Sequence, residues 1–253
     1  MRLLSHGATD RGRNRANNED ACLVDNSLGL FAVADGVGGL ARGEVASNLA
    51  VETLREAVPD MLGSGDRTPP AETAAGADPV ASALRYAVTL ANRRILEAAE
   101  DTPARAGMGT TLTALLFSGR RAVIAHIGDS RAYRLRHTAF QQLTEDHSAV
   151  AEQVKAGVLT PAQARTSAHR HVITRALGLD ESGFPDISSH EVKTGDVYLL
   201  CTDGLTEMVE NDGIRKILAS PSPATAAKML VDAANRAGGV DNITAVVVRV
   251  IEV

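Results

Sequence analysis

Cysteine is scarce in this 253-residue chain, which has only Cys22 and Cys201. Two cysteines exclude a scaffold stapled by several disulfides, and each lies in an apolar run where a free thiol behaves as a small buried hydrophobe. We expect both to be reduced. Clustered cysteine and histidine of the kind that zinc takes are missing as well. The segment Met1-Arg2-Leu3-Leu4-Ser5-His6 is no apolar signal, and no later run is long enough to span a bilayer. An excess of positive charge is also lacking, since 26 basic residues face 31 acidic ones for a net charge of -5. That leaves no basic stripe for nucleic acid and no polybasic membrane anchor. There is no glycine-rich loop ending in Lys-Ser or Lys-Thr to cradle a nucleotide, and no internal repeat. These absences lead us to expect a cytoplasmic protein that partners neither nucleic acid nor membrane, with a monomer as the default state.

What is present suffices for a core, with 44% hydrophobic residues over a length that suits one domain spanning 1–253. Short apolar runs predict strands at 21–25, 29–35, 110–117, 121–127, 130–136, 139–143, 187–192, 197–202 and 244–250. The four runs between 110 and 143 read as one antiparallel meander. Helical spacing predicts helices over 43–58, closed by Pro59, over 80–100 and over 223–237. Residues 63–79, rich in Gly, Pro, Ala, Ser and Thr, read as an exposed variable loop. Residues 148–168 are polar and helical without a strong apolar face. Hairpins outnumber βαβ units, so two packed antiparallel sheets covered by helices on each outer face are expected, although periodicity alone supports only the α+β class.

Four acidic signatures carry the chemistry: Asn17-Asn18-Glu19-Asp20, Asp35-Gly36-Val37-Gly38-Gly39, Thr202-Asp203-Gly204 and Gly239-Val240-Asp241-Asn242. Each adjoins an apolar run, which puts its carboxylate at a strand end. There it gains nothing from packing and repels its neighbours, unless a hard cation such as Mg²⁺ or Mn²⁺ gathers several of them. Taken singly, an Asp-Gly or Asp-Asn pair reads as an ordinary turn.

Together with Thr9 to Asp20, Gly107-Met108-Gly109-Thr110-Thr111 and His126-Ile127-Gly128-Asp129-Ser130-Arg131, these blocks resemble the bacterial branch of the metal-dependent (PPM, type 2C) serine/threonine protein phosphatases. They follow the family's order over nearly the whole chain. The resemblance implies a β-sandwich of two antiparallel sheets flanked by helices on both outer faces, with a flap over about 146–190. It also implies two core Mn²⁺ or Mg²⁺ ions, which would stand roughly 3.5 to 4 Å apart and activate a bridging water that attacks phosphorus directly. In the family pattern Asp35 bridges the ions and the Gly36 carbonyl adds a ligand. Asp203 and Asp241 complete one ion, and Asp20 holds the other directly or through water. Asp129 corresponds to a third, weaker site shared with Asp203, and Arg15 to the arginine that grips phosphate. Arg11 and Arg13 read as surface charges. Glu19 is implied as an acceptor behind the ligands, unless strand alternation turns it away. Asn242 either orients Asp241 or a metal-bound water, or simply makes a turn.

One departure concerns the general acid. Where eukaryotic members carry His inside the Asp-Gly-x-Gly-Gly motif this chain has Val37, and Leu40 stands where some bacterial members have His, which leaves metal-bound water as the simplest proton donor. His126 and His147 read as hydrogen-bonded structural residues, and His169 and His171 reach substrate only if the flap folds inward. The expected partners are phosphorylated proteins made by a serine/threonine kinase in bacterial signalling. The alternatives are a phosphatase for a small metabolite phosphoester and a catalytically weak binding module of the same fold.

Overall fold

The computed structural model describes residues 1–38, 42–63, 78–102, 106–180 and 183–253. Most of the expected 63–79 loop, and the Gly39-Leu40 end of the Asp35 motif, lie outside them. The strands are β1 (Arg2–Asp10), β2 (Asp20–Asp25), β3 (Leu30–Val37), β4 (Gly109–Thr110), β5 (Leu112–Ser118), β6 (Arg121–Ile127), β7 (Arg131–Arg136), β8 (Ala139–Gln142), β9 (Asp186–Glu191), β10 (Val197–Cys201) and β11 (Ile243–Glu252). The helices are α1 (Arg42–Gly63), α2 (Pro79–Glu100), α3 (Ala149–Lys155), α4 (Pro161–Thr166), α5 (Asp203–Thr206), α6 (Asn211–Leu218) and α7 (Pro223–Arg236). One sheet runs β1-β11-β10-β7-β8 and the other β2-β3-β5-β6-β9, with β4 beside β3. Every pairing is antiparallel.

Alternation along the strands sorts the apolar residues into three layers. Leu30, Ala32 and Ala34 of β3 join Leu54, Val58, Leu84 and Val88 beneath α1 and α2. Leu199, Cys201, Ala245 and Val247 pack beneath α6 and α7 with Ile214, Leu218 and Leu230. Phe31, Val33, Leu115, Phe117, Tyr198, Leu200, Val246 and Val248 fill the space between the sheets. The result is the expected helix–sheet–sheet–helix sandwich.

Several expectations need correction. The four runs between 110 and 143 form two hairpins in different sheets, because the chain crosses from β6 to β7 at Gly128-Asp129. Helix α1 continues through Pro59 to Gly63, since a proline forfeits one backbone bond without forbidding the turn that follows it. The expected flap ends too late at 190, because β9 belongs to the sheet and pairs with β6 over Asp186–Glu191. Strand β1 was not anticipated, as its pattern is half exposed and carries few branched residues; its pairing with β11 along its full length holds it in place. Cys22 and Cys201 are both free and sit in different sheets. Among the described residues no helix is long and apolar enough to cross a membrane.

Candidate metal centre

The middle layer turns polar at one end. Continuing the alternation past Phe31 and Val33 places Asp35 between the sheets. The same count from Cys22 gives Asp20, from Tyr198 and Leu200 gives Thr202, and from Val248 and Val246 gives Thr244. Pairing of β2 with β3 sets Asp20 opposite Asp35. Thr111, Thr113, Ser130, Thr202 and Thr244 are fully buried there and supply the hydroxyls that a polar core needs. Thr202 and Thr244 donate to Asp20 Oδ2 at 2.9 and 2.7 Å. Thr111 Oγ1 accepts the Asp35 backbone N–H at 3.0 Å and lies 2.8 Å from Ser130 Oγ.

Two oxygens of this cluster, Asp20 Oδ1 and Asp203 Oδ1, are buried without any hydrogen-bond partner among the described residues. Electrostatics point the same way. Burial raises the Asp20 carboxyl to about 7, with the two threonine hydroxyls pulling it down and Asp241 pushing it up. Burial, then Asp20, Asp203, Asp129 and Asp241, hold Asp35 well above the usual carboxylate range. Asp203 is raised by burial and by Asp129, Glu207, Asp241 and Asp20, and Asp129 reaches about 6 through burial and Asp146. Carboxylates that disfavour one another's ionisation, with orphaned oxygens aimed inward, fit a divalent cation or a pair of them. Gly36 fits as well, because a side chain there would collide with the Gly43 carbonyl where α1 crosses β3.

The surrounding residues divide by what they touch. Asp129 sits on the crossing between the sheets, where Gly128 adopts φ +107° and a Cβ would strike Thr111. His147 brackets this turn: its N–H donates to Gly128 O at 2.7 Å and its Nδ1 accepts Gly128 N–H at 3.0 Å. Its Nε2 lies 3.0 Å from Asp186 Oδ2 and 2.8 Å from Arg175 Nη1, and Arg175 also donates to Asp186 Oδ1 at 2.9 Å. His126 lies beside it, ring centroids 4.8 Å apart, bonded to Thr113 Oγ1 and Glu145 O. Arg15 donates to Asp241 Oδ2 at 2.7 Å while remaining largely exposed. Arg11 and Arg13 point elsewhere: Arg11 donates to Ala16 O and Arg13 to Asn235 O.

The Glu19 carboxylate lies beside Gly43 near the start of α1, where a Cβ on Gly43 would come within 2.5 Å of it, and it acts electrostatically on Arg15. The Asn242 side chain bonds to the 11–19 loop. Its Oδ1 accepts Glu19 N–H at 2.8 Å and its Nδ2 donates to Arg11 O and Asn17 O, both at 2.9 Å, so the amide straps the 11–19 loop to the site. Only its backbone N–H serves Asp241, at 2.7 Å.

Sequence reading missed Glu207, one helical turn beyond Asp203. His171 reaches it from the segment before β9, with Nδ1 2.8 Å from Glu207 Oε1. Potential ligand atoms of His171, Asp203 and Glu207 all lie within 4.8 Å of one another. This brings His171, from the segment expected to be the flap, beside Asp203.

A buried acidic cluster at one end of an αββα sandwich fits a metal-dependent class, and comparison specifies which. A profile for protein phosphatase 2C matches residues 8–233, and the chain belongs to that family. The serine/threonine protein phosphatase PstP of Mycobacterium tuberculosis is 41% identical over 244 residues, 96% of this chain. The chain spans 44% of the length of PstP. Protein phosphatase PhpP of Streptococcus pneumoniae is 37% identical over 248 residues, 96% of each chain. The crystal structure of the PstP catalytic domain in complex with two manganese ions superposes with a TM-score of 0.85 at 38% identity, covering 99% of both chains.

Proposed function

We propose that this chain is a manganese- or magnesium-dependent phosphatase that removes phosphate from phosphoserine and phosphothreonine in proteins. The observation that carries the reading is the convergence of Asp20, Asp35, Asp129, Asp203 and Asp241 at the end of the middle layer, with two buried oxygens left without partners. We assign Asp35, Gly36, Asp203, Asp241 and Asp20 to two core ions, and Asp129 with Asp203 to a weaker third. The two manganese ions bound by the PstP catalytic domain support the two core ions. Such ions supply activation of water toward phosphorus and neutralisation of phosphoryl charge.

The chain's own groups do the rest. Threonine hydroxyls from β10 and β11 fix Asp20, so that its free oxygen points into the site. Arg15, already paired with Asp241, exchanges that partner for phosphate oxygens, which a guanidinium fork can take two at a time. His126 and His147 are committed to structural hydrogen bonds, so neither protonates the serine or threonine leaving group. The opposing enzyme is a serine/threonine kinase, and the two free thiols suit the cytoplasm. Turnover of phosphothreonine and phosphotyrosine peptides across a metal series tests the assignment. Mn²⁺- or Mg²⁺-dependent release from phosphothreonine is expected, whereas exclusive action on small metabolite phosphoesters would reject it.

A further inference from the structure

Beside the metal centre lies an open cleft of about 540 Å³, lined by Asp10, Arg11, Gly12, Arg13, Asp232, Asn235 and Arg236. Its residues 11–13 belong to the loop that carries Arg15. That loop is fastened to the Asp241 segment by Arg13 N–H on Gly239 O at 2.7 Å and by Asn242 on Arg11 O. One wall is thus the backbone that positions Arg15 and Asp241, and the other is the C-terminal turn of α7.

Three arginines line this cleft in a chain whose net charge is -5. Among the described residues none of the three is in an ion pair. Asp10 and Asp232 also line the cleft, so the guanidinium groups are in excess by one; the Asp10 carboxylate is turned to neutral donors, Gly12 N–H at 2.8 Å and Asn235 Nδ2 at 3.0 Å. Arg13 is held by Nε on Asn235 O at 2.9 Å, which leaves its terminal nitrogens free to donate. Arg236 is exposed at the end of α7. A concave surface with an excess of guanidinium groups attracts oxyanions and can bind them through charge-assisted hydrogen bonds.

We propose that this cleft binds an oxyanion-bearing side chain of the substrate segment flanking the phosphorylated residue. The inference rests on the protein phosphatase reading and adds a substrate class to it: phosphosites with acidic or additionally phosphorylated neighbours. A metabolite phosphoester has no flanking segment and leaves the cleft empty.

The test measures binding without requiring turnover. Fluorescent peptides carrying a hydrolysis-resistant phosphonate at threonine are made with Glu-Glu, second-phosphonate or Lys-Lys flanks, and titrated with the Mn²⁺-loaded protein at low and high salt. Either anionic flank is expected to bind about fivefold to tenfold tighter than the lysine flank at low salt, with the gap shrinking at high salt. Which anionic flank tightens more distinguishes a carboxylate from a second phosphate as the source. Arg236→Glu should abolish the gap, and Arg236→Gln should narrow it, while both leave turnover of a small aryl phosphate unchanged. Equal binding of all three peptides, or a gap that survives Arg236→Glu, would overturn the proposal. Absence of aryl phosphate turnover by the parent protein would instead count against the phosphatase reading, while the binding gap is still measured.

Discussion

At the scale of single residues, the site is built by ordinary strand alternation carried one step past the apolar core. Asp20 and Asp35 were legible because a carboxylate closing a strand has no packing reason to be there. The hydroxyls that orient them were not, because Thr111, Thr202 and Thr244 look like routine strand formers until the opposite sheet arrives. Asp35→Asn is expected to lower turnover by more than the roughly 10–100-fold typical of residues that only support a ligand. Steady-state rates with saturating Mn²⁺ would check this, and a rate near the parental one would misplace the centre. His147 is a positioning residue for the Asp129 turn through Gly128. His147→Ala should reduce kcat by about 10-fold or more, and His147→Asn, whose amide oxygen can stand in for Nδ1, should recover most of it. Equal losses in the two variants would mean that the hydrogen bond to Gly128 is unimportant.

Among the elements, long periodic segments were read well: α2, α7 and the strands β6, β10 and β11 lie within a few residues of expectation. Failures cluster where tertiary pairing outweighs local pattern. Strand β1 is legible only as the partner of β11, and α6 is only Asn211–Leu218, anchored by Ile214 and Leu218. The hairpin-like run 110–143 could not reveal that it changes sheets at Asp129. The flap is a different kind of element. Its base is pinned by the bridge between Ser148 and Ile173 and by Ala149 N–H on Val172 O at 2.9 Å. Between those points α3 buries only Val150 and α4 no residue, and several contacts to the body are polar: His171 and Arg170 on Glu207, and Arg165 near Glu210. Few buried apolar contacts imply low local stability. Replacing 149–172 with a short turn should therefore leave the fold intact and impair phosphopeptide turnover far more than aryl phosphate turnover. Equal losses on both substrates, with metal still bound, would deny the flap a part in guiding protein substrates.

For the whole molecule, an acidic cluster at the mouth of the sandwich opposes folding when no cation is present, and pH exposes the conflict. Asp20 titrates at about 7 in the folded chain against about 3.9 when unfolded, and Asp35 and Asp203 are also displaced upward. Wherever the folded state holds these extra protons, stability falls as pH rises. His126, lowered to about 4 chiefly by burial, acts with the opposite sign, but only below its unfolded value of about 6.5. Above that point the carboxylates dominate. The metal-free protein should lose thermal stability from about pH 6.5 to 8.5, and Mn²⁺ should restore more at the upper end than at the lower. A melting temperature that rises with pH in this window would contradict the electrostatic account. The most direct test of the central claim is a titration of chelator-stripped protein with Mn²⁺, in which free ion is followed by electron paramagnetic resonance and phosphothreonine-peptide turnover is followed in the same samples. The account predicts no turnover without metal, activity that rises in step with filling of two sites per chain, and loss of that binding in Asp35→Asn. Full turnover by the stripped protein, or unchanged Mn²⁺ binding in Asp35→Asn, would contradict it.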